Sequence, residues 1–543
     1  MEEPQAISEA TLDVPSGNVQ QRPSVIFGSK TPALLEITIG ALIENNARKY
    51  GARDAVVFPW QSIRMSYRNL AQRSREVAAR LTQAGLQHGD CLAIMAGNRH
   101  EYIETFLGGA RLGCPVVVMN SMFSPEELKQ ALVRVECKLL IIAPIIGQRS
   151  LSEHISKVLS NTKPDAGLQT IVILGESDVP QSDTRVHCYS RFFPSVLSQA
   201  DSTALEAAEK RVSNWDVLNL QFTSVMGFLA SFCHGSSIIF PSDTFNAEKV
   251  LDAVVREKAT ALLGVPTMFI AELDELTEKS RPITTIRTGL AAGSAVPPSL
   301  MESLRKRMNI QSMLIAYGMT ETSPVTFITA LDDSEENMFN SIGKVLPHTG
   351  AKIVDGDGKV VPVGTRGEIC TSGFALQKGY WQDEAKTREV MRQDDEGIVW
   401  MHTGDEGFID SDGYGHITGR IKDLIIRGGE NISPGEIEDR LLQNPAIGEC
   451  CVVGLDDHKY GEAVSCFLKP ANGRTTRPSD DEVRNWVKQK LGRHKEPKHI
   501  FWIGDVDVGQ DIPKTGSGKY QKHLVRALGN SLVKKMGRSL AKL

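Results

Sequence analysis

Apolar residues in this chain come in short runs, with amphipathic stretches between them. "DCLAIMAGN" (90–98) is a β-branched run closing in a turn, and "RHEYIETFLGGARLG" (99–113) carries its apolar positions at helical spacing. "CPVVVMN" (114–120) reads as a strand again. "SPEELKQALVRVE" (124–136) opens with Ser124 and has Glu127 three residues on, the capping-box start of a helix, and the strand "KLLIIAP" (138–144) follows. "SSIIFP" (236–241), "ATALLGVP" (259–266) and "SMLIAYG" (312–318) continue the theme with helices between them. Alternation at this spacing predicts βαβ units and parallel sheets over about 33–420.

After about 350 the period changes. "GAKIVDGDGKVVPVGTRGEICTSG" (350–373) alternates over short runs broken by Asp-Gly turns, which predicts a small antiparallel β region. Beyond Arg420 comes a compact α+β pattern: helix "SPGEIEDRLLQ" (433–443), strands "GECCVVGL" (448–455) and "EAVSCFLKP" (462–470), and helix "SDDEVRNWVKQKL" (479–491). The fold class expected is therefore α/β, a large N-terminal domain with a small α+β domain after it. The divisions expected are a polar tail over 1–32, the large domain over 33–420, the small domain over 421–528 and a basic tail over 529–543.

The chain has 543 residues, 41% of them hydrophobic and 23% charged, the make-up of an ordinary globular protein too long for one core. Its net charge of -5 gives no general attraction to nucleic acid. Its longest apolar run, "LLIIAPIIG" (139–147), is far too short for a membrane span. The nine cysteines are scattered without a CxxC pair, which predicts reduced thiols, and no Cys/His cluster has zinc spacing. The acidic, polar N-terminus has neither the apolar core of a secretory signal nor an Arg-rich amphipath. The last three residues, Ala541-Lys542-Leu543, are one small-residue change from Ser-Lys-Leu, the address read by the peroxisomal import receptor.

Four stretches gather polar residues where open α/β sheets place ligands. "YGMTETSP" (317–324) offers an aromatic ring at Tyr317, a hydroxyl at Thr320 and a carboxylate at Glu321, which suits a magnesium nucleotide or, equally, a capped turn. "MHTGDEGFIDSDGYGHITGR" (401–420) holds Asp405, able to accept two bonds from a ribose diol, and ends in Arg420; a surface hairpin is the alternative. "GRIKDLIIRGGENISPGEIE" (419–438) combines a charged crossing at Lys422 and Asp423 with the tight turn Gly428-Gly429-Glu430. "PKTGSGKYQK" (513–522) is a flexible loop carrying Lys519. It is not a Walker A loop: Pro513 stands where the first glycine belongs, and Tyr520 follows the lysine.

In this order and spacing, with "MSYRNL" (65–70), "GVPTMF" (264–269) and "GLAAGSAVP" (289–297), the four resemble the adenylate-forming superfamily, and its acid–CoA ligase branch above all. The resemblance covers about 35–525. It implies ATP-dependent formation of an acyl-adenylate, then transfer of the acyl group to coenzyme A as the small domain swings, on a fatty or secondary-metabolite acid. It places Gly293 and Ser294 at the adenine and acyl pocket, Tyr317 against adenine, Thr320 at the α-phosphate, and Glu321 on Mg²⁺. Asp405 and Arg420 fall on the ribose, Lys422 at the hinge, the Gly428-Gly429-Glu430 turn at the CoA tunnel, and Lys519 at the charge that develops during adenylation.

One piece of the pattern is missing. After the strand "LNLQFTS" the family carries a Ser/Thr/Gly-rich phosphate loop and, later, an aromatic-His acyl gate. Here Thr223 and Ser224 run straight into "VMGFLASFCHGSSIIF". Losing about three charge-assisted phosphate bonds would cost ~4.5–9 kcal/mol, so weak or no ATP-dependent activity is expected of this polypeptide. Three readings are open: a segment lost by annotation or splicing at 224/225, a binding protein without turnover, or slow adenylation by a depleted site.

Overall fold

A computed structural model of the chain describes residues 22–160, 167–175, 183–193, 198–221, 226–278, 283–292, 298–471, 477–514 and 519–540. Six strands pair in parallel throughout, in the spatial order Val186–Cys188, Thr170–Ile173, Leu139–Ile142, Leu92–Met95, Val116–Val118, Asn219–Gln221. Parallel neighbours need crossovers, and helices His100–Leu112, Pro125–Arg134 and Ser152–Leu159 lie in the connections. With both faces covered, the central strands are apolar at every position instead of alternating; Leu92 to Met95 and Leu139 to Ile142 are all buried. Ser124 makes the reciprocal cap with Glu127 that its sequence predicts.

The runs at 236–241, 259–266 and 312–318 do form strands, though in other sheets. Ile238–Ile239 pairs with Val56 and Val57 in a three-stranded sheet. Ala261–Gly264, Thr288–Ala292 and Ser312–Tyr317 run parallel in a five-stranded sheet, completed antiparallel by Phe327–Ile328 and Lys344–Val345. The Asp-Gly-rich stretch builds the antiparallel sheet expected, from Thr349–Val354, Gly367–Gly373, Met391–Gln393, Val399–Ile409 and Gly415–Arg420. In the C-terminal part, Ile425–Arg427, Glu430–Ile432, Ile447–Asp457 and Gly461–Pro470 are antiparallel, and His499–Trp502 joins in parallel. Helices Pro434–Leu442 and Asp480–Lys488 pack with Val452, Val464 and Trp502, while Lys522–Leu540 sends Val525 and Leu532 into a second small core with Val453 and Phe467.

Both tails are shorter than expected. Val25–Phe27 pairs antiparallel with Gly350, Ala351 and Lys352, because its three β-branched and aromatic residues can extend an open sheet edge. The basic stretch after 528 continues a helix that runs from Lys522 to Leu540, held by the apolar face just described. Ala541, Lys542 and Leu543 lie outside the described residues.

Thr223 and Ser224 also lie outside them, between strand Asn219–Gln221 and helix Met226–Cys233. The helix is firmly packed. Phe228 and Phe232 are buried, the Phe232 ring sits 5.1 Å from Tyr67, and the Phe232 carbonyl accepts from the Asn46 amide at 2.9 Å. His234 is part of the turn that ends it, closed by Gly235. The strand before the passage, Asn219–Gln221, closes the six-stranded sheet beside Val116–Val118, with Leu220 half-buried. The five-stranded sheet is less protected, since its edge strand leaves Leu263 47% exposed, with Ile270 37% exposed on the helix that follows.

Candidate active site

Strand Ser312–Tyr317 leaves its sheet at Tyr317, and the chain turns sharply through one 3₁₀ turn, Thr320–Thr322. Gly318 is required for that turn: a Cβ there would sit 2.1 Å from the Pro324 carbonyl oxygen. The Thr322 hydroxyl bonds both the amide and the carbonyl of Met319, fixing the loop. Thr320 is exposed at the start of the turn, and Glu321 follows it half-buried.

Glu321 is held from a distant part of the chain. The Gln377 amide donates to its carbonyl at 2.8 Å, and the Tyr380 hydroxyl donates to its carboxylate at 2.9 Å. Neither residue was foreseen. "ALQKGYW" has no local signature, and the contact spans 59 positions, so only the fold reveals it.

Asp405 and Arg420 face each other as a cross-strand pair on neighbouring antiparallel strands. Arg420 Nε lies 2.9 Å from one carboxylate oxygen of Asp405, and the Tyr317 hydroxyl donates to the other at 2.7 Å. The hairpin alternative and the ligand reading thus describe one object, a hairpin that aims an acid and a base at Tyr317. Asp405 is only 6% exposed. That burial raises its pKa above the ordinary aspartate value, against the opposing pull of Arg420, Tyr317 and Lys519. The Tyr317 phenol is pushed well above its usual range by burial and by Asp405.

The turn carrying Asp405 has its own support. Glu368 accepts from the Gly404 amide at 3.0 Å and from His402 Nδ1 at 2.7 Å, and the Thr403 hydroxyl donates to the Ile369 carbonyl. Burial works against the Glu368 charge, yet these bonds hold its pKa below the ordinary value. With Cys370 Sγ 3.5 Å from His402 Nδ1, Glu368 and His402 form the one group of metal-ligating type among the described residues. Their atoms are engaged with one another, and the arrangement pins the Thr403-Gly404-Asp405 turn.

Lys519, on the C-terminal part of the chain, comes within electrostatic range of Asp405, Glu321 and Arg420. Crowding by the protein, and then the Arg420 charge, lower its pKa below that of an ordinary lysine. Lys422 is exposed on the short 3₁₀ turn Ile421–Asp423, between a strand of the antiparallel sheet and the first strand of the C-terminal sheet. Gly428 and Gly429 form a two-residue hairpin between Arg427 and Glu430 with φ of 62° and 87°, both in the left-handed region. Its tip, with Glu430, is exposed. Gly293 and Ser294 fall outside the described residues, which stop at Ala292, the end of the strand leading to them.

The cleft therefore unites Tyr317, Glu321, Asp405, Arg420 and Lys519, an aromatic ring, two carboxylates and two cations. Such a set can stack a base, hold a diol, take a hard cation and balance phosphate charge.

Known proteins are similar to this chain in sequence and in fold. The model of the AMP-binding enzyme family matches residues 43–225 and 224–381, and that of the AMP-binding enzyme C-terminal domain matches 436–519. The first match breaks at the junction where the phosphate loop is missing. An acyl-CoA ligase of Penicillium expansum, cnsG, is 42% identical over 513 positions, covering 94% of this chain and 98% of the relative. The acyl-CoA ligase sidI of Aspergillus fumigatus is 40% identical over 562 positions, covering 94% of each. Since 94% of 543 residues is about 510, the first alignment has room for only a few gaps, whereas the second leaves about 50 positions without a counterpart here. The short passage at 224/225 is therefore not peculiar to this chain. Among solved structures, an anthranilate CoA ligase, AuaEII, complexed with anthranoyl-AMP, superposes with a TM-score of 0.77 at 21% identity, over 93% of this chain and all of that one. MatB from Rhodopseudomonas palustris bound to ATP gives 0.71 at 24% identity, over 91% of this chain and all of that one. The motifs, the cleft they build and both family models agree: the chain belongs to the AMP-binding enzyme family, in its acyl-CoA ligase branch.

Proposed function

We propose that this protein joins a carboxylic acid to coenzyme A at the expense of ATP, through an acyl-adenylate. The observation that carries the reading is the convergence of Lys519 with Asp405, Glu321 and Arg420, residues drawn from three separate stretches of sequence into one cleft. In the first step a carboxylate oxygen of the acid bonds to the α-phosphorus of ATP. The bond from that phosphorus to the bridging oxygen breaks, and its electron pair leaves with pyrophosphate. In the second, the CoA sulfur bonds to the acyl carbon, AMP departs with the carbon–oxygen bonding pair, and the thiol proton is released.

Asp405 would hold the ribose diol, exchanging the Tyr317 hydroxyl for those of the sugar, with the Tyr317 ring beside the base. Lys519 would balance the charge built up at the α-phosphate. Glu321 offers hard carboxylate oxygens beside Thr320, which fits magnesium, a cation held through one or two carboxylates and substrate phosphates. When bound, Mg²⁺ would neutralise the phosphates during displacement.

We infer a fatty or secondary-metabolite acid as the substrate, a reading supported by the fungal relatives' being acyl-CoA ligases, and we read the C-terminal Ala541-Lys542-Leu543 as a peroxisomal address. A fluorescent N-terminal fusion tests that address; it should lose punctate staining when the three residues are removed. A binding protein without turnover draws no support from relatives that carry ligase names. Acid-dependent exchange of labelled pyrophosphate into ATP tests the first step directly. Exchange indifferent to every carboxylic acid supplied would sink the proposal.

A further inference from the structure

Glu321 stands on a single 3₁₀ turn, an element with no rigidity of its own. What holds it comes from residues 377–382, and that segment is braced against a different lobe of the molecule. The Tyr380 amide donates to Thr387 Oγ1 at 2.9 Å, and Lys378 Nζ donates to the Trp215 carbonyl. Trp381 Nε1 donates to the Arg134 carbonyl at 3.1 Å, and the Gln382 amide to Glu136 at 3.2 Å. The end of helix Pro125–Arg134 and the loop at Trp215 thus anchor a strap that ends on the Glu321 carboxylate.

We propose that Tyr380 is a positioning residue that sets the orientation of Glu321 for the cation of the bound nucleotide. This rests on the reading of Glu321 as the cation's carboxylate. The Tyr380 hydroxyl donates to Glu321 Oε1 at 2.9 Å, while the Gln377 amide fixes the same residue's backbone at 2.8 Å. A carboxylate held at one oxygen and at its carbonyl has its second oxygen presented in one direction. Mg²⁺ demands near-ideal octahedral placement of its ligands, so a freely turning carboxylate is a poor partner for it. The strap matters more here than where a full phosphate loop shares the hold on the triphosphate and its cation.

The test is calorimetric titration of the full chain with ATP in magnesium and again in EDTA, for wild type, Tyr380→Phe, Glu321→Gln and the double variant. Tyr380→Phe keeps the ring and removes only the donor. It should weaken binding by about 3- to 10-fold in magnesium, leave binding in EDTA unchanged, and add nothing in the Glu321→Gln background. Trp381→Phe, which cuts one anchor of the strap without touching Glu321, should show a smaller loss with the same magnesium dependence. Equal weakening with and without magnesium, or a full further loss in the Glu321→Gln background, would overturn the role assigned to Tyr380. So would a Tyr380→Phe protein that binds Mg·ATP as wild type does. A wild-type chain that binds ATP no better with magnesium than without it would instead overturn the assignment of Glu321, and the role of Tyr380 with it.

Discussion

Asp405 concentrates the chemistry of the cleft in one side chain. Burial raises its pKa, while Arg420 and the Tyr317 hydroxyl pull it down. It must be ionised to accept two bonds from a diol, so nucleotide binding should fall on the acid side as pH drops through that raised pKa. Tyr317→Phe keeps the ring and removes one of the bonds that stabilise the anion. The pKa of Asp405 then rises further, and the acid limb of a plot of ATP affinity against pH should move to higher pH. A limb that stays in place or moves down would show that the Tyr317 bond does not act on this carboxylate. Lys519 sets the opposite limb. Its pKa is lowered, so it loses its proton at a lower pH than an ordinary lysine, and adenylation should decline there as pH rises. Lys519→Arg, charged at any accessible pH, should abolish that decline whatever it does to the rate at the optimum.

At the scale of elements, much was legible and the failures have physical causes. Strands buried on both faces announce themselves by unbroken apolar runs, and the capping box at Ser124 and Glu127 marked a helix start to the residue. Which sheet a strand joins is not written locally. Ile238–Ile239 and Leu92–Met95 look alike as sequence, yet pair in different sheets, because pairing depends on the whole topology. The strand at Val25–Phe27 was hidden in a polar context, and its partners lie more than 300 residues away. Asp405 and Arg420 stood out in the sequence as residue types, and the register that sets them opposite each other came only with the fold. Tyr380, Gln377 and Glu368 support the site through contacts between distant segments and lie outside the four polar motifs, and His402, inside one of them, was not singled out.

The element missing after Ser224 has a measurable consequence. In the proposed function Tyr317, Asp405 and Arg420, which contact one another, address the nucleoside end of ATP, whereas the loop that would grip the β- and γ-phosphates is not encoded. AMP should therefore bind within about tenfold of ATP in calorimetry, since the charge-assisted bonds that separate the two, ~1.5–3 kcal/mol each, are gone. ATP binding more than a hundredfold tighter than AMP would mean that other residues form a triphosphate cradle.

On the scale of the whole molecule, the proposed function requires Lys519, from the C-terminal part of the chain, to stand beside Asp405, Glu321 and Arg420 from the rest. The short crossing at Ile421–Asp423, with exposed Lys422, is the single covalent link between them. In the state described, Lys519 lies within electrostatic range of Asp405, Glu321 and Arg420, and the Gly428-Gly429-Glu430 hairpin is exposed. If these serve separate steps, Lys519→Ala should reduce acyl-adenylate formation by about 10²-fold or more, the scale of losing one electrostatic stabiliser, while leaving transfer to CoA from supplied acyl-adenylate largely intact. Equal loss in both half-reactions would argue against two working positions of the small domain. The compact passage at 224/225, matched in length by the Penicillium relative, makes a chance omission from one sequence a poor account of it.

The most direct measurement is product analysis of the purified chain, given millimolar ATP·Mg²⁺, CoA and a panel of fatty, hydroxy and aromatic carboxylic acids, with nucleotides and thioesters read by mass spectrometry. Acid-dependent formation of AMP and an acyl-CoA in equal amounts, lost in Lys519→Ala, is the predicted result. ATP left intact with every acid, or converted to ADP in place of AMP, would contradict the assignment of this cleft as an adenylating site.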